Sequence, residues 1–283
     1  MEKFIYTNSN NTTITLGNLY DEYLLSSHSG TSSSEILTYS HRGFNQNGYT
    51  FSGTNLGTRI ITLEFIVRRK NDTDFYKTKS RLCSVFNPLL GDGVLTYKND
   101  YLSRQITVRV TGSPELTEKT ELYGKYTVEL TAYNPFWRSM SENALKMGGF
   151  TGGIEYPLFF SGDSVTFANK SMNTLITTTS DVETPLRIEF AGPCDTPVIS
   201  CGTNHIELDT EILTGEKIII TTGFGEKLVR KIDANGNETN VNHLISNTST
   251  FFSLQPGSNN MTFTAQYGTP AVYLYWHDLY VGV

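Results

Sequence analysis

Cys194, Cys201 and His205 are the nearest this sequence comes to a set of metal ligands. Thiolate and imidazole together suit zinc, but the spacing matches no standard zinc pattern and no fourth ligand stands beside them. Asp233-Ala234-Asn235-Gly236-Asn237 offers the oxygens of a calcium loop. Such a loop needs glycine at its sixth position and a bidentate acid at its twelfth, and here glycine is fourth. Asn235-Gly236 is instead a hairpin signal, because both central positions of the favoured turn need positive φ.

Other chemistry is no better supported. Gly148–Gly153 has neither the preceding strand nor the following Lys-Ser/Thr of a phosphate loop, and reads as a flexible linker. There is no Gly-x-Ser-x-Gly elbow, and His28, His41, His205, His243 and His277 sit near no nucleophile motif. A glycosidase can hold its two carboxylates at any sequence separation, so that class stays open although no pair stands out. No catalytic, metal-binding or ligand-binding residue is assigned, no cofactor is expected, and the residues of any partner contact are left unknown.

The elements that position these residues are mostly strands. At 283 residues, two domains are expected. Sixteen Tyr and 16 Phe supply bulky core material. Charged residues are only 18%, so the surface is rich in Thr, Ser and Asn, which suits strands and turns. A net charge of -6 and a pI of about 5.4 argue against nucleic-acid binding, which needs a dense basic footprint. The one compact basic run, Arg68-Arg69-Lys70, ends a predicted strand and reads as solvated.

No apolar run reaches the ~18 residues of a membrane span, so no membrane insertion is expected. The opening Met1–Tyr6 lacks the apolar core of a signal peptide. The Asn-x-Ser/Thr triplets at Asn71, Asn169 and Asn237 then reflect composition. Three cysteines, Cys83, Cys194 and Cys201, suit a reducing compartment, although Cys194 and Cys201 could approach across a hairpin.

Residues 1–50 read as short strands and loops, with Ser26–Ser34 as an interruption. From Arg59 to Arg68 the period of two is clear. Apolar residues on both faces predict a strand covered on both sides. Asn71-Asp72-Thr73-Asp74 offers helix N-caps, and Phe75, Leu82 and Phe86 share one helical face up to Asn87-Pro88. Val94–Tyr97 and Gln105–Val110 read as paired strands after the Gly91-Asp92-Gly93 turn. Thr111–Lys125 is polar and reads as a projecting loop or contact arm. Tyr126, Val128, Leu130 and Ala132 mark the last strand of the first unit. Pro135 ends its pairing, and Phe136-Trp137 form an aromatic anchor.

The division expected is a first domain over 1–145, a linker over 146–153 and a second domain over 154–283. In the second, strands are predicted at Leu186–Phe190, His205–Leu208, Lys217–Thr221, Lys227–Ile232, Met261–Ala265 and Val272–Trp276. Short strands at such intervals indicate a β-sandwich.

These segments, in order, resemble the siphophage distal tail proteins. The first part carries the Arg59–Arg68 strand, Val85-Phe86-Asn87-Pro88, Gly91–Tyr97, the Tyr101–Val110 strand and Leu130-Thr131-Ala132-Tyr133-Asn134-Pro135-Phe136-Trp137. The second carries Cys194–Ile199, Leu208-Asp209-Thr210, Leu213–Ile218, Phe251–Asn259 and Trp276. The family more often has other polar residues at Cys194-Asp195, and the first fifty residues match poorly.

The resemblance implies a mainly β fold: an N-terminal β-sandwich-type domain with one helix, then a C-terminal galectin-like or carbohydrate-module-like β-sandwich. It implies no enzyme but a structural virion protein at the tail tip, assembled in the host cytoplasm. There a ring-shaped homohexamer joins the tail tube protein to the tail-associated hub or fibre protein. The ring also offers a platform for receptor-binding proteins. A phage-derived particle or defective prophage would carry the same protein.

Two other classes compete. A carbohydrate-binding module could stack Tyr273, Tyr275 and Trp276 on host cell-wall sugars. Their alternation with Leu274 is that of an ordinary sandwich strand, and sugar-binding members of the family typically carry an inserted module for which this chain has no room. A cell-wall hydrolase has no motif here.

Overall fold

The computed structural model describes residues 2–68, 72–147, 170–266, 268 and 270–283. Residues 148–153 of the predicted linker, the start of the second predicted domain, the N-cap candidate Asn71, Arg69-Lys70 and Asn169 lie outside them, whereas Lys146 ends a strand paired at Tyr273 and Met147 is buried. The chain divides into two compact units, Met1–Met140 with Tyr280–Val283, and Ser141–Leu279.

Among the described residues the first unit contains ten strands and one α-helix before Met140. The strands are β1 (Lys3–Thr7), β2 (Thr13–Gly17), β3 (Tyr23–Ser29), β4 (Ile36–His41), β5 (Thr50–Leu56), β6 (Arg59–Arg68), β7 (Gly93–Lys98), β8 (Ser103–Lys119), β9 (Tyr123–Ala132) and β10 (Trp137–Ser139). Helix α1 (Asp72–Val85) follows β6. Seven of the strands run in the order β8-β7-β1-β2-β3-β6-β9, and β9 pairs back onto β8, so the sheet closes on itself. Closure removes free edges and gives the sheet one inside and one outside. Its two halves share a single core that includes Phe4, Leu16, Leu63, Phe65, Ile106 and Leu130.

That closure corrects two expectations. On β6, Ile61, Leu63, Phe65 and Val67 are buried, but Ile60 is 53% exposed and Thr62, Glu64 and Ile66 are only half-buried. A strand of a closed sheet has one face in the core, so within the chain β6 is covered on one side. Thr111–Lys125 is not a loose arm. Most of it belongs to β8 and β9, paired from Arg109↔Thr131 to Lys119↔Gly124 through three register shifts. Bulges bend a long strand enough to turn the sheet onto itself.

Helix α1 packs as its pattern requires. Phe75, Leu82 and Phe86 are buried, with Phe86 stacked on Tyr6 at 4.7 Å between centroids. Strand β9 stops at Ala132, before Pro135, but β10 still follows and pairs with β8.

The second unit contains β11 (Asn143–Lys146), β12 (Lys170–Thr178), β13 (Arg187–Ala191), β14 (Cys194–Asp195), β15 (Val198–Cys201), β16 (Asn204–Glu207), β17 (Glu211–Ile212), β18 (Lys217–Thr221), β19 (Leu228–Ile232), β20 (Glu238–Asn240), β21 (Gly257–Ala265) and β22 (Ala271–Trp276). One sheet runs β11-β22-β13-β18-β19-β20 and the other β12-β21-β15-β16. Alternate residues of both meet in one core, where Phe190 of the first lies 5.6 Å from Phe263 of the second. This is the inner packing of a β-sandwich. A final strand, β23 (Leu279–Tyr280), lies beside β10 in the first unit's sheet.

The hairpin between β19 and β20 is present, but its turn differs from the expectation. Of Asn235 and Gly236, only Gly236 has positive φ, at 87°. Gly236 N donates to Asp233 O at 3.0 Å, and Asp233 N to Asn237 O at 3.1 Å, so the loop is longer than a two-residue turn. The Asp233 carboxylate accepts from the backbone N of Asn235 and Asn237, which stabilises that longer loop.

Candidate functional site

The residues with chemical potential do not converge. Cys194 is buried opposite Ile212 on β17. Cys201 pairs with Asn204 while its neighbour Ser200 pairs with His205, so Cys201 and His205 point to opposite faces of their sheet. All three cysteines are free thiols. Burial pushes the Cys194 thiol up to about 12, with Asp195 adding to the shift, and raises Cys201 as well. Among the described residues no three His, Cys, Asp or Glu side chains gather as a metal site. The Asp233 carboxylate is engaged by its own loop.

The aromatic candidates are also occupied. Trp276 is buried and donates from Nε1 to Asp278 Oδ1 at 3.2 Å. Tyr273 and Tyr275 share the outer face of the larger sheet, but the Arg187 guanidinium lies 3.8 Å over Tyr275 and Lys146 Nζ 5.7 Å over Tyr273. The cations hold ring faces that a sugar would need.

The feature that does stand out is the β4–β5 ribbon in the first unit. Among the described residues its strands pair only with each other, from Ile36↔Leu56 to His41↔Thr50, with a bulge after Tyr39. Every residue of β4 is exposed, and so are Tyr49 and Phe51, while Phe44 at the tip is 99% exposed. The tip is ordered by polar bonds. Gly43 N donates to Gln46 Oε1 at 2.9 Å, Arg42 Nε to Gln46 O at 2.7 Å, and His41 Nδ1 meets Ser52 Oγ at 2.8 Å. An isolated hairpin is marginal in water, and an exposed apolar ribbon is a template for pairing. The sequence signal that could have found it is Asn47-Gly48 between two Thr/Tyr/Phe-containing runs.

The ribbon's root is held by Arg59, which is fully buried. Its guanidinium donates from Nη1 to the carbonyls of Gly30, Thr31 and Ser33 at 2.9, 2.9 and 3.1 Å. Nε donates to Pro135 O at 2.8 Å, and Nη2 to Val281 O. Burial pulls its pKa below the ordinary arginine value, yet a guanidinium stays charged in proteins. Five carbonyl dipoles therefore stand in for a counter-ion. Across the root, Gly57 N donates to Glu35 O at 2.8 Å.

Residues 10–132 match the model of the phage tail protein RIFT-related domain, and residues 177–280 match the siphovirus-type tail component, C-terminal domain. The chain belongs to the siphophage distal tail proteins.

The solved structure of the Dit protein of phage SPP1, described as a paradigm of the hub adsorption apparatus in phages infecting Gram-positive bacteria, is similar over 98% of both chains. The TM-score is 0.70 at 15% identity. A chain of the phage P2 baseplate, in its activated conformation with calcium, is similar over 100% of this distal tail protein and 99% of that chain. There the TM-score is 0.55 at 9% identity. The strontium form of the p2 baseplate gives 0.52 at 8% identity, over 96% and 98%. No curated protein matches the sequence. This distal tail protein is a structural component of the tail tip, built to assemble with other tail proteins.

Proposed function

We propose that the protein forms a ring-shaped homohexamer at the end of the tail tube. The ring joins the tube protein to the tail-associated hub or fibre protein and offers receptor-binding proteins a place to attach. The chain assembles in the host cytoplasm and works without catalysis.

The observation that carries the reading is the β4–β5 ribbon, an apolar element with no cover of its own. A projecting element on one copy that lies on a different surface of the next makes a head-to-tail contact, and such contacts give rings when their rotation closes. Obligate contacts of this kind bury more than ~2,000 Å². The SPP1 and P2 likenesses agree with a hub role at the level of the fold.

Light-scattering chromatography with negative-stain imaging tests it. A particle of six chains with a central channel is the expected result. A monomer that stays single when mixed with the tube and hub proteins of the same phage would overturn it.

A further inference from the structure

The first unit is discontinuous in the chain. It breaks off at Met140 and is completed by Tyr280–Val283, after the whole of the second unit. This closing segment is held mainly through its backbone. Val281 O accepts from Arg59, Gly282 O from Arg104 Nη1, and Val283 O from Ser32 Oγ at 3.2 Å. The Arg104 guanidinium lies 3.5 Å over the Tyr280 ring. The fit at Gly282 is close, since a Cβ there would stand 2.9 Å from the Ser32 carbonyl oxygen.

Two of these holds, Arg59 and Ser32, are also the root of the ribbon. Arg59 gives its Nη1 to Gly30, Thr31 and Ser33, immediately before β4, and its Nη2 to the closing segment. Arg59 itself begins β6, one residue after Thr58, whose carbonyl accepts from Glu35 N at 3.4 Å. Both feet of the ribbon and the closing segment thus meet at one planar, rigid group. Without the segment, a buried N–H loses its acceptor and the root loses one wall. A ribbon free to swing must be ordered when it pairs, and that ordering opposes association.

We propose that Tyr280–Val283 is a latch on the β4–β5 ribbon. Docked, it completes the Arg59 clamp and fixes the ribbon's direction, so a chain becomes competent to pair with a second copy only after residues 280–283 have been made and seated. Arg59 is a positioning residue in this device. The inference rests on the ribbon being the contact between copies.

The test uses the full chain, a chain lacking Tyr280–Val283, Gly282→Val, and Phe51→Ser, followed by amide hydrogen exchange and light scattering. The deletion and Gly282→Val should speed exchange over residues 30–58 and weaken self-association, each by about tenfold or more, while β6, β9 and the second unit keep their protection. Unchanged exchange at residues 30–33 together with unchanged self-association would overturn the latch. Should the deletion melt β6, Gly282→Val decides alone. Phe51→Ser separates the two ideas, because it should weaken self-association with the root's exchange as in the parent. If the parent never associates, even when mixed with the tube and hub proteins of the same phage, the ribbon reading fails. Only the hold of Tyr280–Val283 on the root is then judged: faster exchange in Gly282→Val upholds that hold, and unchanged exchange overturns it.

Discussion

Arg59 and Trp137 donate to the same carbonyl oxygen. Arg59 Nη1 reaches Thr31 O at 2.9 Å and Trp137 Nε1 reaches it at 3.0 Å, and both donors are buried. The residue that opens β6 and the residue that opens β10 therefore converge on the chain just before the ribbon. Trp137→Phe keeps a six-membered ring and leaves Thr31 O its Arg59 bond but loses the Nε1 donor and the rest of the indole, so a loss of about 1–3 kcal/mol is expected. Trp137→Ala empties a core position and should cost about 3–5 kcal/mol. Arg59→Lys replaces a fork by a point charge that cannot reach all five carbonyls, and about 2–4 kcal/mol is expected. Denaturant unfolding of the first unit measures all three. Equal effects of Phe and Ala at position 137 would remove the packing from the explanation and leave the hydrogen bond, which both variants lack.

The ribbon should behave differently from the core. Tyr39 and Phe51 are 51% and 65% exposed, so Tyr39→Ser and Phe51→Ser should change stability by no more than about 0.5 kcal/mol. Both should reduce self-association. Thermal melts beside chromatographic mass give the comparison, and a large stability loss with unchanged mass would place these side chains in the fold instead of the contact.

Cys83 and Cys194 should separate by burial. Cys83 is exposed on α1, whereas Cys194 is buried with its thiol pushed up to about 12. Iodoacetamide at neutral pH should modify Cys83 in the folded protein and reach Cys194 only after denaturation, since the thiolate is the nucleophile. Cys194 stays neutral in the fold while the unfolded thiol ionises. It therefore supports stability fully below the unfolded value and loses that support as pH rises toward about 12. Mass mapping of the alkylated peptides checks the first point.

Acid should weaken both units through paired carboxylates. Hydrogen bonds from Lys125 and Ser27 hold Glu64 below its ordinary range, and Lys231 with the Leu213 N–H does the same for Glu216. A depressed folded pKa contributes stability above the unfolded value and loses it as pH falls through the folded one. The loss begins below the ordinary carboxylate pKa of about 4.5. Glu216→Gln should flatten that part of the curve for the second unit, as read by melting temperature against pH. A curve parallel to the parent's would exclude the pair.

Most strands were legible because burial imposed their pattern. Lys217–Thr221 and the alternation at Ile106, Val108 and Val110 lie where the sequence places them, since each puts every second side chain in a core. The helix was legible from Phe75, Leu82 and Phe86 for the same reason. The ribbon was not, because no core sorts its residues. Ile36, Tyr39 and Phe51 are apolar yet exposed, so composition alone could not tell strand from loop. The polar stretch after Val110 misled in the opposite direction. It looked like an arm and is the bulged pairing that closes the sheet.

By itself the sequence determined a two-part β protein with one helix, no catalytic motif and the order of segments typical of distal tail proteins. Those are local properties, set by alternation, turn residues and spacing. Only the tertiary structure decided that β8 meets β9 to close the sheet, that Tyr280–Val283 returns to the first unit, and that Arg59 gathers carbonyls from residues 30, 31, 33, 135 and 281. The acceptors are backbone oxygens, which every residue carries. No side-chain pattern in a sequence can mark which of them a buried guanidinium will find.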